Sequence, residues 1–96
     1  MRFRAKVDSN HHEIVAALRA AGRRVLDLSR VGSGCPDLLV CVGGKLLLME
    51  VKTPLGPKGG ASKSKLTPDQ EAFRHQWPFV VVRSVAEALA ATGVSG

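Results

Sequence analysis

Aromatic residues and cysteines are scarce in this chain of 96 residues, which has three phenylalanines, one tryptophan, no tyrosine and two cysteines. A protein that binds single-stranded nucleic acid by stacking its bases needs aromatic platforms, so the composition argues against that class. Cys35 and Cys41 lack partners at the spacing of a zinc site, and we interpret both as reduced thiols of a cytosolic protein. His11 and His12 have no ligand partner one helical turn away, and we expect both on the surface.

Long apolar runs are also missing from the sequence. No segment is long enough for a transmembrane helix, and the first residues lack the apolar centre of a signal peptide, so we expect a cytoplasmic protein that does not enter a membrane.

Acidic residues are outnumbered, because 14 Lys and Arg against 8 Asp and Glu give a formal net charge of +6. This charge predicts a polyanionic partner, with nucleic acid the commonest one and an anionic membrane surface the alternative.

Hydrophobic residues make up 45% of the chain, which is enough for a packed core and too much for a disordered protein. The length fits a single domain over residues 1–96. Because so small a domain buries a limited fraction of its surface, self-association would stabilise it. We therefore expect a homodimer.

The hydrophobic pattern predicts an α/β fold of order α-β-β-β-α-β-α, with a mixed central sheet of about four strands flanked by helices. Segment 53–66 is rich in Gly, Pro, Ser and Lys and is predicted to be a mobile basic loop. Capping boxes are predicted where Asn10, Thr67 and Ser84 are each followed three residues later by Glu or Gln. Helices are predicted over 10–21, 67 to about 77, and 84–93. Strands are predicted over 24–29, 38–42, 45–52 and 79–82.

The second and third strands form a hairpin around Gly43-Gly44. Both of its faces are apolar, which predicts a central position in a sheet covered on both sides. If Val42 pairs with Lys45, counting outward places Asp37 directly opposite Glu50 and puts Lys52 on the face of Glu50. A register shift of one residue would move Asp37 to the other face.

Two carboxylates at opposed positions repel each other, and the apolar runs beside Asp37 and Glu50 make an unpaired charge there costly. A Mg²⁺ ion between them would remove both problems, since it binds one or two carboxylates together with water and phosphate oxygens. Lys52 would orient or deprotonate an attacking water, or stabilise negative charge on a phosphorane. The alternative is structural, with Asp37 making a turn contact and Glu50 and Lys52 forming a solvated strand end.

Pro36-Asp37 and Glu50-Val51-Lys52 resemble the two motif elements of the PD-(D/E)xK nuclease superfamily, which has the restriction-endonuclease-like fold. The wider pattern over about residues 10–85 includes Glu13, a GxGxPDLLV segment and LTPDQ before the second helix. This pattern is similar to that of the VRR-NUC family, and especially to its stand-alone phage-type members.

The resemblance implies hydrolysis of DNA phosphodiesters with Mg²⁺ or Mn²⁺ as cofactor. It implies that Asp37 and Glu50 are metal ligands, together with the backbone carbonyl of Val51, and that Lys52 is the catalytic lysine. Glu13 would reach the metal directly or through water, and Gln70 would lie near the active site. Helix capping is the local alternative for both Glu13 and Gln70.

The resemblance further implies a homodimer that acts on branched DNA such as Holliday junctions. It also implies a role in DNA repair, in the cytoplasm of a bacterium or of a phage-infected host cell. Arg30, Ser33, Lys58, Lys63 and Lys65 are candidate DNA-binding residues, since Lys and Arg contacts to phosphate supply affinity without sequence readout. The sequence therefore predicts a metal-dependent DNA endonuclease. The alternatives are a catalytically silent DNA-binding module of the same fold, a nuclease that needs a partner protein, and a domain that binds an acidic protein or a membrane.

Overall fold

A computed structural model describes residues 10–53 and 65–93 of the chain. Within these residues the elements follow the predicted order α-β-β-β-α-β-α, so the α/β prediction is confirmed. They are α1 (His11–Ala20), β1 (Arg24–Asp27), β2 (Leu38–Val42), β3 (Lys45–Val51), α2 (Pro68–Gln76), β4 (Val80–Val82) and α3 (Val85–Ala91). The predicted mobile loop at 53–66 falls mainly on residues 54–64, which lie outside the described residues.

The four strands of the described residues form one mixed sheet of order β1-β2-β3-β4. Strands β1, β2 and β3 are antiparallel neighbours, whereas β4 runs parallel to β3 and is reached by a crossover through α2. The hairpin register is the predicted one, because Val42 pairs with Lys45 and the ladder continues to Leu38 and Met49. If this register is extended one step beyond the ladder, Asp37 is the residue opposite Glu50.

The hydrophobic core lies between one face of the sheet and the helices α1 and α3. Leu38, Val40 and Met49 point to this face and are fully buried. Ile14 and Leu18 of α1 fill the space above them at the predicted helical spacing. This packing fixes the positions of β2 and β3, and with them the strand ends that carry Asp37 and Glu50.

The opposite face of the sheet is also apolar but only partly covered. Helix α2 crosses it, and a groove of about 470 Å³ remains between the helix and the hairpin, lined by Leu39, Leu46, Leu48, Phe73, Trp77 and Pro78. Leu46 is 69% exposed and Trp77 is 56% exposed. The predicted central position of the hairpin is therefore confirmed. The predicted covering of both sheet faces is wrong, because α2 is the one described helix on this side and none of its residues is buried.

Side-chain hydrogen bonds explain where several elements begin and end. Strand β1 stops two residues before its predicted end because Asp27 Oδ1 accepts a hydrogen bond from the Ser29 backbone N–H at 2.9 Å and turns the chain. The capping box of Thr67 and Gln70 is confirmed in both directions. At α3, Ser84 accepts from the Glu87 N–H, but the Glu87 carboxylate accepts from the N–H of Arg83, one residue before the cap.

In the described part of the chain, no helix has the length and apolar character needed to cross a bilayer.

Candidate active site

Glu50 lies near the end of β3, and only 4% of its surface is exposed. Its Oε2 atom accepts a hydrogen bond of 2.9 Å from Nε2 of Gln70 and lies 3.8 Å from Nζ of Lys52. A buried carboxylate is costly unless it is paired and hydrogen-bonded. The amide of Gln70 and the ammonium of Lys52 meet this requirement.

Lys52 follows β3 and is itself only 7% exposed. Its contact with Glu50 confirms that the two side chains share a face, as their spacing along the strand predicted. Because both side chains are buried, the alternative of a solvated charged strand end is wrong. A buried ion pair of this kind needs a reason beyond stability, since apolar residues often replace such pairs without loss.

Asp37 is held beside the Glu50–Val51 peptide. Its Oδ2 atom accepts a hydrogen bond of 2.9 Å from the backbone N–H of Val51, and its backbone carbonyl accepts one of 2.6 Å from Leu28. The register makes Pro36 the next ladder partner of Val51, but proline has no N–H to donate to the Val51 carbonyl. The ladder therefore ends at Pro36. The Val51 N–H donates to the side chain of Asp37, and Pro36 gives the Val51 carbonyl no donor.

Gln70 joins the first turn of α2 to Glu50. Its Oε1 atom accepts from the Thr67 N–H at 2.9 Å, while its Nε2 atom donates to Glu50. Gln70 therefore caps the start of α2 and also lies beside the candidate site, as the two interpretations of this residue predicted. One side chain fixes the start of α2 and orients the carboxylate of Glu50.

The loop before Pro36 packs directly against this turn of α2. Gly34 has a φ of +82°, and a Cβ atom built there would collide with the backbone carbonyl of Asp69. Only glycine combines that left-handed backbone with so close an approach. Gly34 therefore lets α2 come near enough for Gln70 to reach Glu50.

Asn10 does not cap α1, so the predicted capping box with Glu13 is wrong. Its buried side-chain amide donates instead to the backbone carbonyls of Lys52 at 3.3 Å and Arg83 at 3.0 Å. These carbonyls lie just beyond the ends of β3 and β4, so Asn10 ties the two parallel strands to α1. This contact holds the backbone of Lys52.

Glu13 lies in the first turn of α1 with an exposed side chain. Within residues 10–53 and 65–93, no group of three or more His, Cys, Asp or Glu side chains is placed to hold a metal ion. The role of Glu13 at the metal stays a prediction from the resemblance.

The predicted DNA-binding residues divide into three sets. Arg30 and Ser33 are exposed in the loop between β1 and β2, where Ser33 has a left-handed φ of 58°. Lys65 is exposed beside α2 and lines a groove with Arg74 and Arg83. Lys58 and Lys63 lie outside the described residues.

Two features of the site region were missed from the sequence. Burial raises the pKa of the Cys35 thiol, and the negative charges of Asp37 and Glu50 raise it further, so both carboxylates act on one sulfur atom.

His11 is buried rather than on the surface, with Nε2 2.9 Å from Oδ2 of Asp27. The alternation of side chains along β1 could have predicted this contact, because Asp27 projects to the same inward face as Val25.

The donor set at this strand end fits a hard divalent cation. Asp37 and Glu50 supply two carboxylates, and the Val51 carbonyl faces the side of Asp37. Mg²⁺ binds one or two carboxylates and completes its shell with water and phosphate oxygens, and Mn²⁺ accepts the same ligands. These residues therefore fit Mg²⁺ or Mn²⁺ and not a structural zinc ion, which needs cysteine and histidine.

Comparison of the chain with protein-family models, with curated proteins and with solved structures found no match. The resemblance to the VRR-NUC family therefore stays a prediction from the residues that carry it.

Proposed function

We propose that this protein is a metal-dependent DNA endonuclease that hydrolyses phosphodiester bonds at the adjoining ends of β2 and β3. The observation that carries the proposal is the buried pair of Glu50 and Lys52, with Asp37 at the opposed register position. A buried carboxylate and lysine facing a second carboxylate are unfavourable as structure alone and suitable for hydrolysis of a phosphate ester.

Asp37, Glu50 and the Val51 carbonyl would hold the Mg²⁺ or Mn²⁺ ion. When bound, such an ion lowers the pKa of water and offsets the negative charge of the phosphate oxygens. The protein supplies the fixed positions of these ligands: the N–H of Val51 orients Asp37, and Gln70 orients Glu50. Rigid ligands need little reorganisation during the reaction.

Lys52 carries the second part of the mechanism. Its ammonium group lies 3.8 Å from the carboxylate of Glu50, next to the proposed position of the scissile phosphate. There it donates a hydrogen bond to the attacking water or to a phosphorane oxygen as negative charge develops. Such a charge is stabilised more strongly in a water-poor site than in bulk solvent, and only 7% of Lys52 is exposed.

Branched DNA, including four-way junctions, is the proposed substrate class, and it rests on the resemblance. A homodimer is part of this proposal, since two copies present two sites to two strands. The exposed apolar side chains of Leu26, Leu46 and Trp77 on the partly covered sheet face support contact with a second copy. Sedimentation of the chain as a monomer at micromolar concentration would contradict the homodimer.

The first experiment compares cleavage of labelled four-way junction, duplex and single-stranded DNA with Mg²⁺, Mn²⁺ or EDTA. We expect cleavage that depends on the metal and is abolished in Lys52→Ala. Arg24→Ala removes an exposed cation at the far edge of the sheet and serves as the control, with activity retained. If the wild-type protein binds DNA but cuts nothing with either metal, the nuclease proposal is wrong for the isolated chain, and the chain is a binding module or needs a partner.

A further inference from the structure

A second groove, of about 530 Å³, lies along the edge strand β4 on the side of the sheet that carries the candidate site. We call it the β4 groove. Its lining includes three cationic side chains and one carboxylate, a formal charge of +2, over a partly apolar floor. The residues are Lys65, Leu66, Glu71, Arg74, Val80, Val81 and Arg83.

The β4 groove directly adjoins the proposed catalytic residues. Val81 in its lining is the register partner of Glu50 in the parallel β3–β4 pair, so one strand spacing of about 4.8 Å separates the two backbones. Opposed residues of neighbouring strands project to the same face. On α2, Gln70 contacts Glu50 while the next residue, Glu71, lines the groove.

Two of the three cationic residues of the groove, Arg74 and Arg83, make contacts that restrict their positions. The guanidinium carbon of Arg74 lies 5.1 Å from the centre of the Phe79 ring, a stacking contact that restricts its orientation. The backbone of Arg83 is fixed on both sides, because its N–H donates to Glu87 at 2.7 Å and its carbonyl accepts from Asn10. An oriented guanidinium group such as that of Arg74 binds phosphate with two parallel hydrogen bonds, which a mobile surface cation does less well.

We infer that the β4 groove binds the sugar–phosphate backbone of the DNA strand, at a phosphate next to the one that is cut. The inference rests on the proposed function and adds Arg74 and Arg83 to its DNA contacts. The groove contacts phosphates and not base edges, so it contributes affinity and register without sequence preference.

The test measures DNA binding in EDTA, where no cleavage occurs, by fluorescence anisotropy over a series of salt concentrations. The variants are Arg74→Gln and Lys65→Gln in the groove, and Arg24→Gln on β1 at the opposite edge of the sheet. All three positions are exposed, and all three changes remove one positive charge, so long-range electrostatics are matched. Circular dichroism and thermal unfolding identify any variant that fails to fold.

We expect each groove variant to bind several-fold more weakly at low salt. The slope of log Kd against log salt should fall by about 0.9 for each phosphate that the variant no longer binds, and duplexes of unrelated sequence should be affected equally. Arg74→Lys keeps the charge and should keep most of the slope. Arg24→Gln should leave the slope unchanged.

Equal weakening of binding in Arg24→Gln and Arg74→Gln would overturn the inference, because general charge would then explain the binding. Wild-type slopes in both groove variants would also overturn it. The two proposals fail separately: binding that depends on the groove without any cleavage contradicts the nuclease alone, and cleavage with groove-independent binding contradicts the groove alone.

Discussion

Oδ2 of Asp37 accepts a hydrogen bond of 2.9 Å from the backbone N–H of Val51, so the side chain of Asp37 takes the acceptor role that the Pro36 carbonyl would have in a continued ladder. One hydrogen bond thus places a carboxylate next to Glu50 and next to the Val51 carbonyl. The two acidic groups are near each other because of backbone geometry, and a bound cation would compensate their repulsion.

We predict that Asp37→Asn abolishes stabilisation by Mg²⁺. The asparagine oxygen can still accept from Val51, so the fold should be retained, and removal of one charge should leave stability in EDTA unchanged or slightly higher. Thermal unfolding with and without Mg²⁺ measures this. At a concentration 100 times its Kd, the ion should stabilise the wild type by about 2.7 kcal/mol. An equal stabilisation of Asp37→Asn by Mg²⁺ would contradict the proposed ligand.

A second prediction separates the two roles of Gln70. Thr67→Ala removes one bond of the capping box and should cost about 1 kcal/mol of stability, with cleavage retained. Gln70→Ala removes its part of the box and also the hydrogen bond to Glu50, which adds about 1.5–3 kcal/mol because the acceptor is charged. Urea unfolding and cleavage rates of both variants check this. If Thr67→Ala impairs cleavage as much as Gln70→Ala, Gln70 acts through the helix cap alone.

A third prediction concerns the approach of α2 to the loop before Pro36. Gly32 and Gly34 both have left-handed φ angles, of +79° and +82°, but only the second one meets a neighbour where a Cβ would be added. Gly32→Ala should cost about 1–2 kcal/mol from backbone strain. Gly34→Ala should cost more and should slow cleavage, since α2 must move away from Glu50. Denaturant unfolding gives the first quantity and single-turnover cleavage the second, and equal effects in both variants would argue against the positioning role.

The fourth prediction is a decrease of stability in acid that depends on Asp27. Burial raises the pKa of this carboxyl, but hydrogen bonds from Ser29 and His11 outweigh burial and hold the pKa at about 2, below the ordinary 3.8. A lowered pKa stabilises the fold above pH 3.8, and this contribution is lost as the pH falls toward 2. Because the side chain is 41% exposed, screening by solvent limits the contribution to about 1 kcal/mol or less.

Urea unfolding of wild type and Asp27→Asn at several pH values tests this dependence. The stability difference should be largest above pH 4 and should decrease as the pH falls through about 2. A difference that stays constant over this range would mean that packing, and not ionisation, explains the effect of the substitution.

Local signals in the sequence were sufficient for the hairpin and for α2. Gly43-Gly44 determines which residues of β2 and β3 pair, and the alternation of side chains then puts Glu50 and Lys52 on one face. Thr67, Pro68 and Gln70 lie within one helical turn, so their capping contacts need no other part of the chain.

Contacts between distant residues were predicted less well. Asn10 has the pattern of a helix cap, yet its amide donates to carbonyls 42 and 73 residues away, just beyond the ends of β3 and β4. His11 was expected on the surface but lies under β1, since the helix face of Ile14 and Leu18 turns toward the sheet.

The sequence alone determined the element order, the hairpin register and the shared face of Glu50 and Lys52, because each depends on the spacing of residues along the chain. The tertiary structure decided the partner of Glu50 on α2, the partners of Asn10, the partial covering of the second sheet face and the place of Arg74 beside the site. These depend on how a helix docks on the sheet. Docking is set by packing and by the close approach at Gly34, which no local pattern encodes.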